Sequence, residues 1–116
     1  MTIVVAVPDS AQGKLALEAA AAETKLLDTD LVAVNLGRGV LDTSAYEGVT
    51  VLNLSPASDQ VDGVLAAIEQ YNASRLVIGI KRRTPVGKAV LGSISQYLLL
   101  QSPIPVLAVK LDEDED

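Results

Sequence analysis

The sequence contains neither cysteine nor histidine. Without thiols there is no disulfide and no thiolate nucleophile. Without imidazole there is no Ser-His-Asp arrangement and no side chain whose ordinary pKa lies near neutrality. The two absences together remove the usual nitrogen and sulfur ligands of zinc. Phenylalanine and tryptophan are also missing, and the aromatic content is three tyrosines, which offers little for stacking nucleic-acid bases. No apolar run approaches the roughly 20 residues of a membrane-spanning helix. The amino terminus, Met1-Thr2-Ile3-Val4-Val5 into Pro8-Asp9, has neither a basic segment nor a small-residue cleavage site. A cytoplasmic location, with no membrane and no nucleic acid among its partners, is the expectation.

Excess positive charge is lacking too, since the formal net charge is −6. Five of the fifteen acids form the terminal run Asp112-Glu113-Asp114-Glu115-Asp116, and setting them aside leaves ten acids against nine bases. The body is nearly neutral. Like-charge repulsion predicts that 112–116 is a disordered acidic tail attached to a single domain over 1–111.

What is present is aliphatic. Of 116 residues, 49% are hydrophobic, mostly Val, Leu, Ile and Ala, enough for one core in one domain. Val4 to Val7 is a short apolar run ending at Pro8-Asp9-Ser10, the pattern of a strand buried on both faces. Ala11 to Leu27 reads as a helix, with Leu15, Ala19, Ala22 and Leu26 recurring at three- and four-residue steps. Strands are predicted at Leu31–Leu36, Val49–Leu54, Arg75–Ile80 and Pro105–Lys110. A helix is predicted after Ser55-Pro56, carrying Val61, Val64, Leu65, Ile68 and Tyr71, and another over Val90–Gln101. The twelve residues Gly37 to Gly48 show no helical period and read as an irregular crossover in place of a helix. Strands alternating with helices imply an α/β fold with a mostly parallel sheet covered on both faces.

The stretch Gly79 to Ser93 carries the chemistry. It joins the fourth strand to the last helix, whose opening amides at Gly92, Ser93 and Ile94 form the kind of terminus that binds anions. Lys81, Arg82, Arg83 and Lys88 gather four of the nine bases within it. These supply a local positive field and candidate phosphate contacts. The same residues admit a plainer reading, in which Gly79 is a turn, Ser93 an N-cap and the cations a solvated rim. Asp9, just after a strand and before a helix, likewise suits a cap or an Asx turn.

These residues resemble the universal stress protein family. Its nucleotide-binding members carry, after the fourth strand, a glycine, two residues, a glycine, nine residues, and then glycine with Ser or Thr. Gly79 matches the first glycine and Gly92-Ser93 the last pair. Pro105-Val106-Leu107 matches the closing strand, and Val5-Ala6-Val7-Pro8-Asp9-Ser10 the first. Arg82 stands where the middle glycine belongs, and the usual helix between strands two and three is absent. An arginine there either obstructs the pocket or pairs with phosphate through its planar fork.

The resemblance implies a three-layer domain of the adenine nucleotide alpha hydrolase type, with strand order 3-2-1-4-5. It implies an ATP or AMP ligand at the crevice between strands one and four, where open α/β sheets bind ligands, with Mg as a candidate companion ion. Asp9 and Leu36 would then meet the adenosine, and Gly79, Arg82, Gly92, Ser93 and Ile94 the ribose and phosphates. No general base other than Asp9 is in view, so at most slow ATP hydrolysis is expected, and no metal site formed by protein side chains. The alternative is a nucleotide-free interaction protein in which Arg82 closes the pocket. A homodimer through the edge strand 104–111 is expected from the family. A second contact is conceivable over strands two and three unless the loop with Val40, Leu41 and Tyr46 lies across them.

Overall fold

A computed structural model of the chain describes residues 1–55, 57–83, 88–90 and 92–113. The central strand β1 (Thr2–Val7) is parallel on one edge to β2 (Asp30–Asn35), with Ile3 beside Leu31, and on the other to β4 (Arg75–Arg83), with Ile3 beside Arg75. Outside these lie β3 (Val49–Asn53), paired with β2, and β6 (Val106–Glu113), paired with β4. The five parallel strands therefore take the expected 3-2-1-4-5 order, with β6 in the fifth place.

A further short strand, β5 (Lys88–Val90), folds back antiparallel on Lys81–Arg83. Because β6 occupies the other edge of Lys81–Arg83, β5 lies on the side of β4 that β1 leaves open beyond Val77. The sequence placed β4's end at Ile80 and a helix from Val90. Instead β4 continues three residues further, since ladder partners on both edges take up its backbone donors and acceptors.

β1 and β2 are apolar along most of their length, as is the Leu76–Ile80 part of β4, so the centre of the sheet buries both faces. On one face Ile3, Val5, Val7, Leu31, Ala33 and Val77 pack against Ala16, Leu17 and Ala20 of α1 (Ala11–Leu27). On the other, Val4, Ala6, Val32, Val34, Leu76 and Ile78 meet Val64, Ala67 and Ile68 of α2 (Gln60–Gln70) and Leu98 of α3 (Ser93–Gln101). Among the described residues no helix is long and apolar enough to cross a membrane.

The buried stripe of α1 is Gly13, Ala16, Leu17 and Ala20, not the stripe through Leu15, Ala19, Ala22 and Leu26; Leu26 is 78% exposed. In an alanine-rich helix several stripes look alike by pattern, and the one with the smallest residues wins because it lets the helix approach closest. A Cβ at Gly13 would lie 1.9 Å from the Pro8 carbonyl oxygen.

The cap of α1 is Ser10, whose hydroxyl accepts from the Gly13 N–H at 3.3 Å, rather than Asp9. The cap of α2 is Asp59, which accepts from the Asp62 N–H at 3.0 Å. Ser55 instead closes a turn ahead of the helix, its carbonyl accepting from the Ser58 N–H at 2.9 Å, and Pro56 lies outside the described residues.

The segment between β2 and β3 is irregular, as its sequence indicates. Leu41 and Tyr46 fold onto the α1-side cluster, while Val40 stands almost wholly in solvent at 98% exposure. The loop thus covers part of the face left by the missing helix. At the other end of the chain β6 runs through Asp112 and Glu113, two residues into the run expected to be disordered.

Gly13→Ala tests the close helix approach. Overpacking against backbone should cost about 2 kcal/mol or more and lower Tm by roughly 8 °C or more. A Tm within about 2 °C of the parent would mean that the entry to α1 shifts freely.

Candidate functional site

The crevice lies at the carboxyl ends of β1 and β4, where the winding of the sheet reverses. Its α1 side is drawn in by glycine. Gly79 on β4 is buried, and a Cβ there would stand 2.5 Å from the Gln12 carbonyl oxygen in the first turn of α1. The opposite side is formed by the starts of α2 and α3. Together they leave a cleft of about 290 Å³, with Leu36, Ile78, Ile94 and Leu98 as its apolar wall. Gln12, Gln60, Ser93 and Ser95 are its polar side chains.

The first turn of α3 is open toward this cleft. Gly92 is its N-cap with extended backbone (φ −67°, ψ 163°) and no side chain caps it. The first helical bond is from the Gln96 N–H to the Gly92 carbonyl at 3.0 Å, which leaves the amides of Ser93, Ile94 and Ser95 without an intrahelical acceptor. Gly92 differs from Gly79, because a Cβ there would meet nothing within 4 Å.

The end of β2 is held by one buried polar residue. The Asn35 side chain, 6% exposed, donates to the Gly39 carbonyl at 2.8 Å and to Asn53 Oδ1 at 2.9 Å, and accepts from the Gly37 N–H at 3.0 Å. Leu36 follows, its N–H bonded to the Val7 carbonyl at 3.0 Å and its carbonyl accepting from Gln60 Nε2 at 2.8 Å. One donor of Gln60 thus ties the start of α2 to the end of β2 at the mouth of the cleft.

Of the residues singled out in the sequence, Leu36, Gly79, Gly92, Ser93 and Ile94 line this one cleft. Asp9 does not. It is exposed and borders a neighbouring hollow of about 480 Å³ on the α1 side, with Lys14, Gly37 and Asp42. Asp42 accepts from the hydroxyl and the backbone N–H of Ser44, which hold its carboxyl below the usual range. Pro8 lines both hollows, so Asp9 stands beside the cleft rather than in it.

Lys81 sits on β4 in register with Leu111 and Val90. Arg82, Arg83 and Lys88 take their places in β4 and β5, and their side chains lie outside the described residues. Among the described residues no three His, Cys, Asp or Glu side chains gather into a metal site.

Gln12, Gln60, Asn35 and Ser95 were not foreseen. Gln60 could have been found by taking Asp59 as the cap, since the residue after a cap opens a helix and faces the strand ends. Asn35 is polar at the end of an apolar strand, a signal that distinguishes it from Leu31 to Val34.

The profile of the "Universal stress protein family" matches residues 57–110. A "Universal stress protein" of Mycolicibacterium smegmatis (strain ATCC 700084 / mc(2)155) is 38% identical over 115 residues, covering 84% of this chain and 88% of that protein. Among solved structures, a universal stress protein from Archaeoglobus fulgidus superposes with a TM-score of 0.72 at 26% identity, over 95% of this chain and 98% of that one. Another, the universal stress protein from Archaeoglobus fulgidus in complex with dAMP, gives 0.67 at 22% identity over 95% and 98% of the two chains.

The two cleft glycines should respond differently to the same methyl group. Gly79→Ala is expected to destabilise by about 1–3 kcal/mol as Gln12 is pushed away. Gly92→Ala should stay within about 0.5 kcal/mol of the parent, as at unremarkable surface sites. Urea melts of the two variants check this, and equal losses would contradict the assigned packing.

Proposed function

The chain belongs to the universal stress protein family, and from that membership we propose that it is a stress-linked regulatory module that binds an adenine nucleotide, ATP or AMP, in the β1/β4 cleft. The observation that carries this reading is the uncapped first turn of α3, whose amides at Ser93 and Ile94 open onto a cleft with an apolar wall. Amides at a helix start favour a phosphate through both their donors and the helix dipole. Leu36 and Ile78 supply a surface for a base, and Gln60 a polar group near it.

The cleft is at the small end of the range for ligand sites, so a nucleotide would extend over its rim. Asp9 stands in the neighbouring hollow beside that rim. The proposed role is binding rather than turnover, because Asp9, the one candidate base, stands outside the cleft. Mg would come with a triphosphate and be held chiefly by its oxygens.

A second reading has one observation in its favour. β5 pairs with the side of β4 that β1 leaves open, past the end of β1 where the crevice begins. In that reading the protein works without a nucleotide, as an interaction module, with Arg82 closing the pocket.

Thermal melts decide between the two. With AMP or ATP and Mg at about a hundred times its dissociation constant, stability should rise by roughly 2.7 kcal/mol. Gly92→Trp should abolish that rise while leaving the unliganded Tm nearly unchanged, because position 92 faces open space. No shift with any adenine nucleotide would favour the interaction module.

We also propose a homodimer along β6, which pairs with β4 alone among the described strands. Beside this free edge Leu107 is 36% exposed, and α3 exposes Tyr97 and Leu100 at 55% and 74%. Leu107→Glu should shift sedimentation equilibrium toward the monomer. A parent that is monomeric at about 100 μM, well above the range of specific dimers, would end this proposal.

A further inference from the structure

Sheet register brings the chain's densest runs of opposite charge together. β6 continues past Leu111, and Asp112 and Glu113 are the register partners of Arg82 and Arg83 on β4. On the other edge of the same stretch β5 sets Lys88 beside Arg83 and Ala89 beside Arg82. Adjacent strands lie about 4.8 Å apart. At such spacing like charges on neighbouring strands repel and opposite charges attract.

This ribbon of β5, β4 and β6 stands beyond the level at which β1 pairs with β4, at the ligand end of the sheet. Two of the four cations that would draw an anion to the crevice, Arg82 and Arg83, therefore have acidic residues set beside them in register by the fold.

We propose that Asp112 and Glu113, set by parallel register beside Arg82 and Arg83, are a built-in counter-anion that competes with an anionic ligand for those two cations. The proposal rests on reading the crevice as an anion seat. A ligand that takes over these cations must weaken the hold on the tail, and by thermodynamic reciprocity the tail weakens the ligand to the same degree. The penalty grows with ligand charge, so the tail discriminates against a triphosphate more than a monophosphate.

The test uses inorganic tripolyphosphate, a highly charged probe without a base. Its affinity is measured by calorimetry at low salt for the full chain and for the variant D112N/E113Q/D114N/E115Q/D116N. The neutralised tail should bind at least fivefold more tightly. In the parent, saturating tripolyphosphate should speed amide exchange at Leu111–Glu113 at least fivefold without changing Val106–Val109. Equal affinities, or tight binding with no change in exchange at Leu111–Glu113, would overturn the proposal while leaving the anion seat standing. No binding by either protein would instead remove the anion seat, and the competition with it.

Discussion

Two contacts between glycine and a carbonyl group set the geometry on which the crevice depends. Gly13 lets α1 rest on the Pro8 carbonyl just past β1, and Gly79 lets the end of β4 rest on the Gln12 carbonyl. Neither approach leaves room for a Cβ, so the first turn of α1 is drawn down onto the ends of both central strands. On the other face the spacing is set by larger side chains, Ile68 and Leu98 among them. The crevice therefore has one tight wall of backbone and one apolar wall of side chains. This changes the weight of the two motif glycines. Gly79 is required by helix packing whether or not any ligand binds. Gly92 has no neighbour that demands a glycine, which makes it the stronger pointer to a guest.

The missing helix between β2 and β3 is replaced by a small polar anchor and a few apolar contacts. Asn35 ties the loop at Gly37 and Gly39 to itself and reaches across to Asn53 on β3, so the chain turns sharply where a helix would otherwise begin. A buried amide is costly unless its donors and acceptor are used, and here three hydrogen bonds use them. Leu41 and Tyr46 then lie on the face the helix would have covered. The shortening falls between β2 and β3, away from β1, β4 and the start of α3.

Much of this was legible in the sequence, for physical reasons that also mark where legibility ends. Continuous apolar runs such as Val4–Val7 could only be buried strands in a chain of this composition, and the strand order followed from the family resemblance. Ala11–Leu27 gave the helix to the residue, yet its buried face was hidden. Side-chain size, not hydrophobicity, decides which stripe of an alanine-rich helix meets the sheet. Among the residues lining the cleft, Gly79, Gly92 and Ser93 were picked out by the glycine spacing, Ile94 by the helix start and Leu36 by the family resemblance. Asp9 was placed in the cleft because it leaves β1, but the turn at Pro8 carries it to the neighbouring hollow. Gln60 was missed because the cap of α2 was sought four residues too early, at Ser55 instead of Asp59.

The segment after Ile80 has a different lesson. Its Lys and Arg residues suggest a loop whose backbone and side chains would both be free to meet a phosphate. Instead Lys81–Arg83 is a central strand segment with partners on both edges. Its amides belong to ladders and are not available as anion donors. Like-charge repulsion in the acidic run is likewise outweighed at Asp112 and Glu113, where the edge of β4 offers backbone pairing. Among the described residues, the backbone donors that open onto this crevice without a ladder or helix acceptor are those at the start of α3. The open amides and the run of basic residues therefore belong to different elements, α3 and β4.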